Sequence, residues 1–349
     1  MIDAGHRDCV QAALNHERTE RTPVNNFVLA TAARSAGVTV DCARWDPKIS
    51  AKVSVDHAIK TKSDFVKPVL DSQVPYKDLG MKVRFPEDDY GQILEPIATD
   101  SEGLDKLALF DPSRASECPS FTKVFVEGLQ ETARILPEDL HICGLSWGPF
   151  TTGGYIMGAE NMIMNVFMDP DLVTKLMKKV TGFVADMQAV MLDAGATVMW
   201  MADPTSSEDL IAPDMFLDYS APYIKQVVDK VNKMDNTTPK FVHICGNTLD
   251  LIPHMPMTGA DCLSFDHAVD PTKAKQAAGK KVSIMGNIDP VEVMMMGTPE
   301  SITKECYRVI DAAGQDGGFI LAPGCETPIQ TSDENVLAMG NAARTYWSR

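Results

Sequence analysis

The sequence predicts a single α/β domain, a (β/α)8 TIM barrel. Three observations carry this. Eight short apolar segments of four to six residues alternate with helical segments along the 349 residues, and such alternation makes a parallel sheet. Eight units favour closure, and the length suits one barrel. No Gly-x-Gly-x-x-Gly follows the first apolar segment, which counts against the alternative, an open doubly wound sheet.

Residues 8–16 read as an amphipathic helix within an N-terminal helical extension of about 1–20. The first strand is expected at 24–29, then a helix at 46–60 and the second strand at 63–68. Pro, Gly and acidic residues punctuate 74–113, which reads as an irregular excursion rather than a domain. A helix at 121–136 precedes the third strand at 141–144, and helices follow at 159–167 and 170–194. The fourth strand is 197–202, with a helix at 213–234. The fifth is 241–244, with a helix at 249–255. The sixth is 262–265, with a helix at 271–278. The seventh is 282–285, with a helix at 298–313. The eighth is 318–322, closed by a helix at 335–345.

The net charge of −16 argues against binding to nucleic acid or to an anionic membrane, since both require a basic face. No apolar run approaches the ~20 residues of a membrane span, and no basic-then-apolar leader opens the chain. Eight Cys without regular spacing do not form a disulfide framework. The compartment expected is a reducing cytoplasm.

Strand residues i and i+2 project to one side, so His243 and Cys245 emerge together where the fifth strand ends. An imidazole beside a thiolate is half of a zinc site. Cys325 follows the eighth strand after a Gly turn, and a barrel brings both strand ends to one mouth. Soft donors select zinc, and three of them leave a fourth position for substrate. The alternative is a core histidine with two unrelated buried cysteines. Asp266 and His267, after the sixth strand, are candidates for an exchangeable fourth ligand or for a loop cap. Asp203 ends the fourth strand, as a catalytic or orienting carboxylate or as a helix N-cap. Trp147, Phe150, Trp200 and Met201 are expected to form a flat apolar pocket, with Asn247 in the loop beside it. Core packing is their other reading. No Arg occurs between Gly144 and Thr248, so the loops after strands three to five lack the usual fork for phosphate or sulfonate.

Several segments carry a resemblance: Gly148-Pro-Phe-Thr151, the stretch from Ala202 to Leu210, His243-Ile-Cys-Gly-Asn247, the stretch from Thr258 to Asp266, Met285 to Pro290, and Leu321-Ala-Pro-Gly-Cys325. With these the chain resembles the uroporphyrinogen decarboxylase superfamily from about Arg18 onward, and within it the corrinoid-dependent methyltransferases. The resemblance implies a (β/α)8 barrel. It also implies zinc on His243, Cys245 and Cys325, which match the family's His-x-Cys and distant Cys. A further implication is a corrinoid carried by a partner protein. True decarboxylases carry an Arg-Gln-Ala-Gly-Arg segment after the first strand; here 25–34 lacks it. One methyltransferase branch methylates a thiol, coenzyme M in methanogens. The other demethylates a substrate such as a methoxylated aromatic onto the cob(I) form of the corrinoid. Asp266-His267 and Cys325-Glu326-Thr-Pro328 look more like the second branch, and with Trp147 and Trp200 they favour O-demethylation of a methoxyarene. The thiol reading, a decarboxylase-like enzyme and a non-enzymatic binding module are the alternatives. A homodimer is compatible with all of them.

Overall fold

The computed structural model describes residues 5–109, 118–137 and 139–349. Residues 1–4 of the expected extension and 110–113 of the expected excursion lie outside them. The chain opens with α1 (His6–Leu14), then α2 (Ala30–Ser35), α3 (Val40–Trp45) and α4 (Pro47–Lys60), before β1 (Phe65–Val66). The excursion holds α5 (Val74–Asp78), the antiparallel pair β2 (Val83–Arg84) and β3 (Gln92–Ile93), and α6 (Ser101–Lys106). Next come α7 (Ser120–Ile135), β4 (His141–Trp147), α8 (Pro149–Met157), α9 (Ala159–Met168), α10 (Pro170–Asp193) and β5 (Val198–Ala202). Then follow α11 (Pro213–Tyr219), α12 (Ala221–Met234), β6 (Lys240–Ile244), β7 (Cys262–Phe265), α13 (Pro271–Ala278) and β8 (Ser283–Ile288). The chain ends with α14 (Pro299–Ala313), β9 (Phe319–Pro323) and α15 (Asp333–Thr345). Seven strands form one parallel sheet in the order β1-β4-β5-β6-β7-β8-β9, with helices packed on it.

The expected first strand at 24–29 is reduced to a bridge. Val24 pairs in parallel with Leu321, and its carbonyl accepts the Asp64 N–H at 2.8 Å. This short segment therefore touches both margins of the sheet. Side-chain groups then take over from the ladder. Asn25 Oδ1 accepts the Phe27 N–H at 2.9 Å, Asn26 Nδ2 donates to the Thr61 carbonyl at 3.2 Å, and Phe27 turns left-handed at φ 45°. Two other expectations are corrected by proline. The helix at 213–234 breaks at Ser220, ahead of Pro222, and the stretch at 249–255, with Pro253 inside it, forms turns rather than a helix.

Strand alternation splits the apolar residues into two layers. Phe65, Cys143, Trp200, Phe241, Met285 and Ile320 pack together inside the curled sheet. Met199, Met201, Val242, Leu263, Ile284 and Leu321 face the helices.

Candidate metal centre

β6 delivers His243 and Cys245 as the i, i+2 rule requires. Both stand at its C-terminal end, where Gly246 turns the chain at φ 72°. A Cβ on Gly246 would lie 1.9 Å from the Asp209 carboxylate, so the turn requires glycine. The His243 ring is fixed from behind, with Nδ1 2.9 Å from Ser264 Oγ on β7, the residue paired with it in the sheet. Its Nε2 lies 3.0 Å from Cys245 Sγ, and Cys245 Sγ lies 3.5 Å from Cys325 Sγ, which enters from the end of β9. All three donor atoms lie within 4.8 Å of one another.

This set fits zinc. Bond lengths of ~2.0–2.3 Å at tetrahedral angles put S···S near ~3.8 Å and N···S near ~3.6 Å. The Cys245–Cys325 separation of 3.5 Å and the His243–Cys245 separation of 3.0 Å need to open by about 0.3 and 0.6 Å to reach them. The hydrogen bond from Cys245 lowers the pKa of Cys325, and that same bond, together with burial, raises Cys245.

Asp266 is buried, but its carboxylate is not in the three-donor cluster. Its Oδ1 lies 2.7 Å from His267 Nδ1 and accepts the Ala268 N–H at 3.1 Å. His267 Nε2 faces Asp289 at 3.5 Å.

Asp203 serves as a cap supplied from a distance. It accepts the N–H groups of Thr151 at 2.6 Å and Phe150 at 3.4 Å, the first turn of α8, and the Ser220 hydroxyl at 3.4 Å. The helix's own cap position is Gly148, where a Cβ would come within 2.4 Å of the Asp203 carboxyl carbon. Asp203 is fully buried, and burial pushes its pKa up against those hydrogen bonds.

Over the donors opens a cavity of ≈ 140 Å³, walled by Phe27, Leu29, Ser72, Leu145, Trp147, Ala202, Pro204 and Glu326 with His243, Cys245 and Cys325. Of the expected pocket residues only Trp147 reaches it. Trp200 is fully buried inside the sheet and Met201 faces the helices, because neighbours on a strand cannot share a face. Phe150 is fully buried in the helix layer, and Asn247 is at the surface with Nδ2 on Glu208 at 3.3 Å.

Two groups at the site were missed by sequence reasoning. Glu326 accepts a hydrogen bond from the Tyr90 hydroxyl, and burial pushes its pKa up to about 7. Lys67, directly after β1, is 5% exposed. Its Nζ lies 3.2 Å from the ring centre of Phe27 and 3.4 Å from that of Trp200. Burial lowers its pKa to about 7, while Cys143, Glu326 and Cys325 act to raise it. The available signal was a lysine directly after the apolar pair Phe65-Val66.

Residues 6–346 match the sequence profile of the uroporphyrinogen decarboxylase (URO-D) family, and the chain belongs to that family. The methylcobamide:CoM methyltransferase MtbA of Methanosarcina acetivorans is 32% identical over 220 residues, 62% of this chain and 62% of that protein. The match to this relative thus spans about three fifths of its length. A methylated-thiol–coenzyme M methyltransferase of Methanosarcina mazei is 26% identical over 305 residues, 86% of this chain and 78% of that protein. A solved methyltransferase from Methanosarcina mazei superposes with a TM-score of 0.88 over 98% of both chains at 21% identity, which establishes the shared fold.

Proposed function

We propose that this chain is a zinc- and corrinoid-dependent methyltransferase that moves a methyl group from a methylated corrinoid, carried by a partner protein, to a small thiol. The observation that carries the reading is the convergence of His243, Cys245 and Cys325 under a small, mainly apolar cavity. Relatives named for methylcobamide and for thiols support it. We read the seven strands and the Val24 segment as a closed (β/α)8 barrel forming one domain, with the cavity at its mouth.

Bound zinc would hold the substrate sulfur as a thiolate, the stronger nucleophile at neutral pH. The chain's own residues do the rest. Ser264 holds the His243 ring so that Nε2 faces the sulfurs. Phe27, Leu145 and Trp147 keep water from the reacting atoms. In the transfer a sulfur lone pair forms the S–CH3 bond. The methylated corrinoid would supply the methyl group and leave with the electron pair of the bond that held it, and the thiol proton would pass to solvent.

Demethylation of a methoxyarene is the second reading, favoured by Trp147 and Phe27 in the cavity wall. It loses the flat slot expected of Phe150, Trp200 and Met201. Among the described residues no helix is long and apolar enough to cross a membrane.

The purified protein is expected to hold about one zinc per chain, and Cys245→Ser or Cys325→Ser to lose it. Methylcorrinoid absorbance should then decay on adding a thiol with the wild type and not with either variant. Full zinc in both variants would defeat the metal assignment. Methylation of cob(I) by a methoxybenzoate, with no thiol-dependent decay, would establish the second reading instead.

A further inference from the structure

Several buried polar atoms of the described residues lack a hydrogen-bond partner, the His57, Trp147 and Trp200 ring nitrogens among them, and Lys67 is the ammonium in that set. The ammonium is 95% removed from solvent as a residue, and its Nζ has no hydrogen-bond partner among the described residues. Two aromatic faces, Phe27 and Trp200, are its close contacts. Cation–π attraction offsets part of the loss of hydration but supplies no acceptor for the three N–H bonds. The nearby carboxylate of Glu326 is engaged by the Tyr90 hydroxyl. A buried charge left in this condition costs stability, and proteins carry such costs where function uses them.

Position says what the charge is for. Lys67 follows β1 directly, so it stands at the strand end that faces the metal centre. Phe27 links the two. Its ring contributes to the cavity wall, packs edge-on against His243 at 5.1 Å, and carries the Lys67 ammonium over its face. The backbone at Phe27 is left-handed, at φ 45°, a conformation uncommon for a bulky residue. It is held there by the Asn25 side chain on its N–H and by the Thr327 N–H on its carbonyl. A strained aromatic thus sets an unpartnered cation beside a cavity whose floor binds the reacting sulfur.

We propose that Lys67 is the group that recognises a negatively charged end, a sulfonate or carboxylate, on the small molecule whose heteroatom sits over His243, Cys245 and Cys325. The inference rests on the methyltransferase reading for the identity of that molecule, but not for the binding itself. The flexible four-carbon stem lets the ammonium leave the rings and meet the anion. Neutral thiols of the same size lack the ion pair. Arg is absent from the loops after β4, β5 and β6, between Gly144 and Thr248, so no fork there competes for the role.

Two measurements test it. The first needs no turnover: thermal shift of the zinc-loaded full chain with ethanesulfonate and, separately, propionate. Neither probe has a thiol. At least one should raise the Tm of the wild type and leave Lys67→Met unmoved; the arm that shifts more identifies the anion class. Equal shifts in wild type and variant, or no shift with either probe in the wild type, would overturn the proposal. Lys67→Met should fold, because it replaces an unpartnered buried charge by an apolar chain of similar length. The second compares 2-mercaptoethanesulfonate, 3-mercaptopropionate and 2-mercaptoethanol as methyl acceptors. The preference of the wild type for an anionic acceptor, as a ratio of kcat/KM, should be ~10-fold or more and should collapse towards one in Lys67→Met, mostly through KM. An undiminished ratio in the variant refutes the assignment. If anion binding depends on Lys67 but no thiol is methylated, the anion site stands and the thiol reading falls.

Discussion

Asp64 and Lys67 stand three residues apart at the two ends of one strand, and both are buried. Their surroundings are opposite. Asp64, at the N-terminal end, is fully matched. Arg21 grips it with two hydrogen bonds of 2.8 and 2.6 Å, His6 Nδ1 lies at 2.7 Å, and the Val24 N–H donates to it at 2.7 Å. Burial would raise its pKa, but the hydrogen bonds from His6 and Arg21 hold it below the ordinary carboxylate range. Lys67, at the C-terminal end, meets two rings and no acceptor. The first charge ties α1 and the Val24 segment to the sheet. The second is a charge without a structural partner, on the side where α/β barrels keep their chemistry. A single strand thus carries a fully matched buried charge at one end and an unmatched one at the other.

The contrast breaks if the two residues respond alike. Asp64→Ala should give the largest effect, a loss on the order of 3–5 kcal/mol in denaturant unfolding, because it removes at once the two hydrogen bonds from Arg21 and those from His6 and the Val24 N–H to one buried carboxylate. Lys67→Met should do the reverse and stabilise the free protein by a few kcal/mol at neutral pH. The pH dependence distinguishes this from a mere gain in packing. The folded-state pKa of Lys67 is depressed to about 7 from 10.5. Below pH 7 both states carry the proton, and the folded state bears the whole cost. Between about 7 and 10.5 the unfolded chain still binds the proton that the folded chain has released, so wild-type stability rises with pH by up to about 1.4 kcal/mol per unit. The advantage of Lys67→Met should therefore shrink steadily from pH 7 to pH 10. A constant advantage across that range would show that the amine is not held in the depressed state.

The same contrast explains what was legible in the sequence. Strand segments announce themselves by apolar runs, and seven of the expected eight stand where periodicity and turn residues put them. His243, Cys245 and Cys325 were legible because each follows from a local rule: two positions on one strand face, and a third just past a strand end. The 24–29 strand was not, because Asn25 Oδ1 takes the Phe27 N–H and the hydroxyls of Ser63 and Thr327 take the Asn26 N–H and carbonyl, and no local pattern distinguishes that from a ladder. The pocket failed on register. Trp200 and Met201 look equally suited to an aromatic slot, but adjacent strand residues face opposite layers. Lys67 escaped notice because its meaning lies in what does not surround it. Only the spatial arrangement of Phe27, Trp200 and Glu326 shows that the ammonium lacks an acceptor.

Asp203 gives the smallest effect and sharpens the comparison most, since it is a buried carboxylate at the chemical end of the sheet that is nonetheless matched like Asp64. Its two residue neighbours, Ala202 and Pro204, reach the cavity, whereas its own carboxylate turns to the α8 N-terminus. A cap needs an acceptor oxygen; a catalytic carboxylate needs its charge or its proton. Asparagine separates the two, because its amide oxygen can accept the Thr151 N–H while its NH2 group can donate to Ser220. Asp203→Ala should cost about 1–2 kcal/mol in unfolding free energy, the usual range for a lost cap. Asp203→Asn should recover most of that, and its kcat/KM should stay within several-fold of wild type with zinc content intact. A thousandfold fall in kcat for Asp203→Asn, at wild-type stability and zinc content, would move this carboxylate out of the scaffold and into the reaction. The function proposed for the Lys67 end of the sheet would then extend to Asp203.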